Sequence, residues 1–168
     1  MSVAKKIFDI ISKVIIGILA VILLINTYTI IARKVFKVPQ PTVFGYSYAV
    51  VISGSMEPAI SVNDMVFAKA QKEYNVGDVV TFYTGRSMVT HRIIEKAEDG
   101  FITKGDANNS PDLEPVPKEA IVGRIVYTLP NVGEYLLFMQ SPLGMMILVL
   151  VALLIIEWPI IFKKKDEE

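Results

Sequence analysis

Nineteen consecutive residues from Val14 to Ala32 carry no charge. As a helix rising about 1.5 Å per residue, this stretch nearly crosses a hydrocarbon core of roughly 30 Å. A second apolar stretch, Leu143 to Phe162, is interrupted only by Glu157. Both read as membrane helices, and they account for a mean hydropathy of +0.48 over 168 residues, too apolar for an ordinary soluble domain of this size. A cleaved signal peptide is the competing reading of the first. Its length, and its exit through Asn26-Thr27-Tyr28-Thr29 into Arg33-Lys34 with no small-x-small site, favour an uncleaved anchor. A buried core helix is the competing reading of the second, because its strictly apolar part, Leu143–Ile156, has only fourteen residues. Glu157 can snorkel there and Trp158 suits an interface, so spanning is favoured.

Two spans put both termini on one side. Lys5, Lys6 and Lys13 precede the first and Lys163–Lys165 follow the second, which places both ends in the cytoplasm. Arg33, Lys34 and Lys37 pull the other way, so the C-terminal lysines, together with the chemistry described below, break the tie. The expected organisation is residues 1–37 as cytoplasmic N-terminus and anchor, 38–142 as an extracytoplasmic β-rich domain, and 143–168 as a second membrane helix with a cytoplasmic tail. The lipid bilayer is thus the first expected partner, with a multi-pass location in the cell membrane, or in the endoplasmic-reticulum membrane of a eukaryote.

Residues 38–142 carry eight basic and twelve acidic side chains, a net −4 that offers no footprint for nucleic acid. The chain has no cysteine, which excludes disulfides, thiolate zinc sites and thiol nucleophiles. Its single histidine leaves no zinc cluster of the usual kind, and no metal or cofactor is expected.

Short runs with turn punctuation predict strands in the middle of the chain. They are Tyr48–Ile52, Asp64–Lys69, Val79–Tyr83, Met88–Ile94, Phe101–Lys104 and Ile121–Tyr127, with turns at Gly85-Arg86 and a hairpin signal at Asp99-Gly100. Strands at this spacing suggest a mainly β fold, a small sandwich or coiled barrel flanked by the two membrane helices. The stretch from Gly105 to Pro117, with two asparagines and three prolines, must be loop.

The chemistry centres on Ser53-Gly54-Ser55-Met56-Glu57-Pro58. Glycine before Ser55 and proline three residues after it place that hydroxyl on a tight, exposed turn. Such a hydroxyl becomes a nucleophile only when a base takes its proton, and the candidates are His91 or a lysine. Lys69, ending a strand not far from Ser55 in sequence, and Lys104 are the alternatives. Asp106 and Asp112, in the following loop, supply acids to orient an imidazole. Taken singly, His91 could be a packed core residue and Ser53 a turn cap. Met56, Phe44, Tyr46, Tyr48 and Phe82 are expected at a membrane-facing rim.

Ser53–Pro58, then Gly77-Asp78-Val79-Val80, then His91-Arg92, then Lys104-Gly105-Asp106 with Asn108-Asn109 resemble, in that order, the blocks of type I signal peptidases. The resemblance covers roughly residues 45–135 and the membrane helix before them. Histidine where other members carry lysine resembles the endoplasmic-reticulum type. It implies a serine endopeptidase that removes signal peptides from secretory preproteins after small residues, with accessory membrane subunits as further partners. It further implies Ser55 as nucleophile and His91 as general base, a task suited to imidazole. Ser53 Oγ and the Ser55 backbone N–H are then the oxyanion donors, a role worth about 3–4 kcal/mol each. Asp112 is favoured as the acid that orients His91, with Asp106 as a buttress or the alternative acid. Ala107 departs from the asparagine that many members have after the aspartate. The rival from another class is a catalytically idle membrane-anchored β-domain that scaffolds a surface partner, and a soluble self-cleaving repressor-type Ser–Lys protein is disfavoured by the two spans.

Overall fold

The computed structural model describes residues 3–85 and 87–165. The turn expected at Arg86, and the side chains of Lys5, Lys6, Trp158 and Lys163–Lys165 on which the membrane reading drew, lie outside what is described.

Two compact units emerge, one formed by residues 1–38 with 137–168 and the other by residues 39–136. In the first, helix α1 (Val3–Lys34) is apolar nearly all round, and most of its Asp9–Lys34 portion is not buried. Exposed Ile10, Val14, Ile18, Val21 and Leu24 leave that surface without a protein core to fill, which requires an apolar surrounding. Helix α1 is long and apolar enough to cross a membrane. The second apolar stretch forms α3 (Pro142–Lys165), which packs on α1 and follows α2 (Gly133–Gln140) across an 83° bend. The bend has a local cause. Ser141 Oγ accepts from the Gly144 N–H at 3.0 Å, an N-cap, and Pro142 takes the first helical position, where a missing N–H costs nothing. Helix α2 was not anticipated from the sequence.

In the second unit, six strands form a single antiparallel sheet: β1 (Tyr46–Val50), β2 (Met65–Lys69), β3 (Val79–Thr84), β4 (Ser87–Ala97), β5 (Gly100–Lys104) and β6 (Ile121–Leu129). Their spatial order is β1-β2-β6-β3-β4-β5. The mainly β expectation holds as one antiparallel sheet, in which the end strands β1 and β5 do not pair among the described residues. Each expected strand is present within a few residues of its sequence-derived bounds, and β4 and β5 meet at the Asp99-Gly100 hairpin. Alternation decides which side chains turn inward. Along β4, His91 and Ile93 are buried while Ile94 is exposed, so the histidine shares a face with core residues.

Two apolar clusters fill the unit. One gathers Val80, Phe82, Ile93, Phe101 and Ile121 with Tyr74 and Val116, and Tyr74 meets Phe101 edge-on at 6.1 Å. Burying a side chain such as Ile93 contributes about 1.5–3 kcal/mol. The other cluster is Met56, Ile60 and Val66. Met56 is 1% exposed, so its expected place on a membrane rim is corrected: it is a core side chain. Phe82, at 2%, is corrected in the same way, whereas Phe44 is exposed.

Candidate active site

Segment 51–64, joining β1 to β2, presents Ser55. It is closed at its base by Val51 N–H to Asp64 O and Asn63 N–H to Val51 O, both 2.8 Å, so the turn springs from a hydrogen-bonded stem. The Asp64 carboxylate ties the stem further, accepting from the Ser61 N–H at 2.9 Å and the Asn131 N–H at 3.1 Å. Within the turn, Glu57 N–H reaches Gly54 O at 3.1 Å and Ile60 N–H reaches Met56 O at 3.0 Å. Met56 is drawn into the core directly after Ser55. That pins the backbone at one side of the serine and leaves its hydroxyl toward a cleft. Ser53 Oγ stands 3.4 Å from Ser55 Oγ.

The cleft, of about 430 Å³, is lined by Ser53 and Ser55, by the apolar run Ala49–Ile52, and by Met88, Thr90 and His91 of β4. Ser55 and His91 thus open onto one space. Among the described residues no hydrogen bond joins them, and such contacts commonly tighten only when substrate is bound.

His91 is 7% exposed, with its ring against Phe82 at 6.2 Å in an edge-on arrangement. Its Nδ1 lies 2.7 Å from Asp112 Oδ2. A carboxylate only accepts, so Nδ1 carries the proton and the lone pair of the neutral ring is left on Nε2. The same Asp112 oxygen accepts from Thr103 Oγ1 at 2.5 Å, and the Asp112 N–H donates to Thr103 O at 2.8 Å. Thr103, wholly buried on β5, therefore grips both the backbone and the carboxylate of Asp112.

Asp106 goes elsewhere. It takes a two-pronged pair of bonds from Arg92, Nε to Oδ1 at 2.8 Å and Nη2 to Oδ2 at 2.6 Å, while Arg92 Nη1 donates to Gly77 O at 2.9 Å. The hydrogen bond from Arg92 holds the Asp106 carboxyl below its ordinary range, and the same contact raises Arg92. Asp106 thereby fastens the start of the loop to β4. The Ala107 N–H then donates to Ser55 O at 2.9 Å, linking loop and serine turn directly. Gly105 makes the approach feasible, since a Cβ there would stand 2.5 Å from Ser55 O. Lys69, the competing base, is exposed and sets its ammonium 5.1 Å over the Tyr46 ring, outside the residues lining the cleft. Lys104 is likewise not among them.

The chain is 35% identical over 126 residues to signal peptidase I W of Bacillus subtilis (strain 168), a match covering 70% of this chain and 65% of that protein. It is 34% identical over 125 residues to the signal peptidase complex catalytic subunit SEC11 of Colletotrichum graminicola, covering 61% of this chain and 73% of the relative. The SEC11 subunit of Pyricularia oryzae is 35% identical over 108 residues, 55% of this chain and 62% of that one. No protein-family model matches the chain. The chain belongs to the type I signal peptidases, of the endoplasmic-reticulum type.

Three residues of this signal peptidase site escape a reading of its sequence. Thr103 precedes the Lys104-Gly105-Asp106 block, and alternation along β5 marks it only as inward-facing. Arg92 stands in the His91-Arg92 pair, yet nothing in the spacing assigns it to Asp106. Gly105 reads as turn chemistry, and its nearness to Ser55 is a tertiary fact. Phe82, expected only as an aromatic of a membrane rim, instead backs the histidine ring.

Proposed function

We propose that this chain is a membrane-bound serine endopeptidase that removes signal peptides from secretory preproteins, cleaving after small residues. What carries the reading is the opening of Ser53, Ser55 and His91 onto one cleft while Asp112 holds His91 Nδ1 from behind. His91 Nε2 takes the proton of Ser55 Oγ as that oxygen attacks the scissile carbonyl carbon. The resulting oxyanion is held by the Ser53 hydroxyl and the Ser55 N–H. Collapse breaks the C–N bond, His91 returns the proton to the departing amine, and water then releases the acyl group by the same exchange in reverse. Asp112 keeps the ring in the required tautomer and steadies the imidazolium, and Thr103 fixes Asp112. Asp106, paired with Arg92, acts as a buttress of the loop.

The residues before the cut lie against Ala49–Ile52, whose cleft has room for small side chains. Helix α1 tethers the serine near the bilayer, where a preprotein's signal helix also resides, and so raises its effective concentration. The further topology proposed is a second span through α3, both termini cytoplasmic and residues 38–142 extracytoplasmic, supported by the lysines that flank the two apolar stretches. Relatives named as catalytic subunits of a complex make accessory membrane subunits part of the proposal.

Vesicles containing the full chain, or Ser55→Ala, test the reading with a secretory preprotein, a gel and N-terminal sequencing. Wild type should release a mature end after a small residue and Ser55→Ala should not. Equal processing by both would reject Ser55 as nucleophile, and an idle scaffold would leave every preprotein intact.

A further inference from the structure

A second cleft, of about 680 Å³, adjoins the first. His91, Val89 and Asn108 line both, whereas Ser53 and Ser55 line only the smaller. The larger is walled on one side by the end of β3, from Phe82 to Gly85, and on the other by the loop carrying Leu113, Glu114 and Pro117. Strand β3 runs on to Thr84, past its last pair with β6 at Phe82↔Ile121. Leu113 is fully exposed at the lip.

Chemistry assigns the two clefts different halves of one substrate. The acyl half stays bonded to Ser55 Oγ after cleavage, so it must occupy the space that Ser55 lines. The amine nitrogen takes its proton from His91 beside Ser55, and the residues that follow it must lead away past His91 into space that Ser55 does not line. A space that His91 lines and Ser55 does not meets that description. We propose that the larger cleft is the docking groove for the first residues of the mature protein, and that Leu113 and Glu114 read the side chains just after the cut. This rests on the peptidase reading above. Its occupant is an extended peptide whose apolar side chains meet Leu113 and the prolines, while the Glu114 carboxylate disfavours acidic residues.

The test uses full-length enzyme in vesicles and two preprotein series, one varied only at the second to fourth residues after the cut and one varied only at the residue before it. Glu114 and Leu113 are exposed, so substitution leaves the core intact. Glu114→Lys should move the kcat/KM ratio of acidic over basic variants upward by about fivefold. Leu113→Ala should narrow any preference for large apolar residues there. For both, the preference for the residue before the cut should stay as in wild type. Ratios that match wild type for both variants, or a change confined to the residue before the cut, would overturn the assignment while leaving the peptidase reading intact. If wild type cleaves none of the series or any other preprotein, the peptidase reading itself falls, and the groove falls with it.

Discussion

Gly105→Ala should disable the enzyme through a single methyl group that touches neither substrate nor histidine. Built on the present backbone, that methyl stands 2.5 Å from Ser55 O and 2.8 Å from Asn108 Nδ2. Ordinary van der Waals contact begins near 3.4 Å, so the Ser55 carbonyl and the loop must part by about 0.9 Å. Asn108 can rotate, but the backbone of Ser55 cannot yield alone, because Met56 is anchored in the core immediately after it. Separation also stretches the 2.9 Å bond from the Ala107 N–H to Ser55 O. Overpacking of this kind costs about 1–3 kcal/mol, and a misplacement of about 1 Å at reacting groups costs about 10²-fold in rate. The assay is single-turnover processing of a saturating preprotein by the full-length enzyme in vesicles, paired with a thermal melt. Processing should fall about 10²-fold while a folded β signal persists. A rate within about threefold of wild type would refute the claim that this close approach positions the serine.

Asp112→Asn should lower kcat by about 10⁴-fold, because an amide no longer enforces the Nδ1–H tautomer of His91; a loss under about tenfold would remove Asp112 from the orienting role. Ser53→Ala should cut kcat by about 10²–10³-fold with KM little changed, and an effect on KM alone would make Ser53 a binding residue. The Asp106–Arg92 pair predicts an acid-sensitive term in stability. A carboxyl held below its ordinary value of 3.8 gives stability that is complete above that value and drains as pH falls through the lowered one. Melting temperatures of full-length protein in detergent, from about pH 6 to about pH 2, should therefore fall more steeply in wild type than in Asp106→Asn, and parallel curves would refute the linkage.

The β strands were legible because turn residues and apolar alternation mark them locally, and each of the six lies close to where those signals put it. Strand order was not legible, since nothing within Ile121–Leu129 states that it inserts between β2 and β3. Helix α2 was hidden because Gly133–Gln140 is short and carries no clear amphipathic stripe, and only the Ser141-Pro142 signal hints at where it stops. At the site, residue types chosen for chemistry stood out: a serine in a turn, a lone histidine, aspartates in a loop. Residues that act by fit did not. Met56 and Phe82 look like interfacial apolar residues in one dimension, and only packing shows that they hold Ser55 and His91 in place.

The strand order also sets a schedule. In the ladder of hydrogen bonds, β1 and β2 form one block and β3, β4 and β5 another, and β6 alone bridges them. Ser55 belongs to the first block, His91 and Asp112 to the second. A nascent chain halted before Ile121 thus holds every proposed catalytic side chain, and the Ala107 N–H to Ser55 O contact, yet lacks the one strand that pairs with both blocks. Completion of the sheet waits on the last strand made, an order of assembly written into the topology.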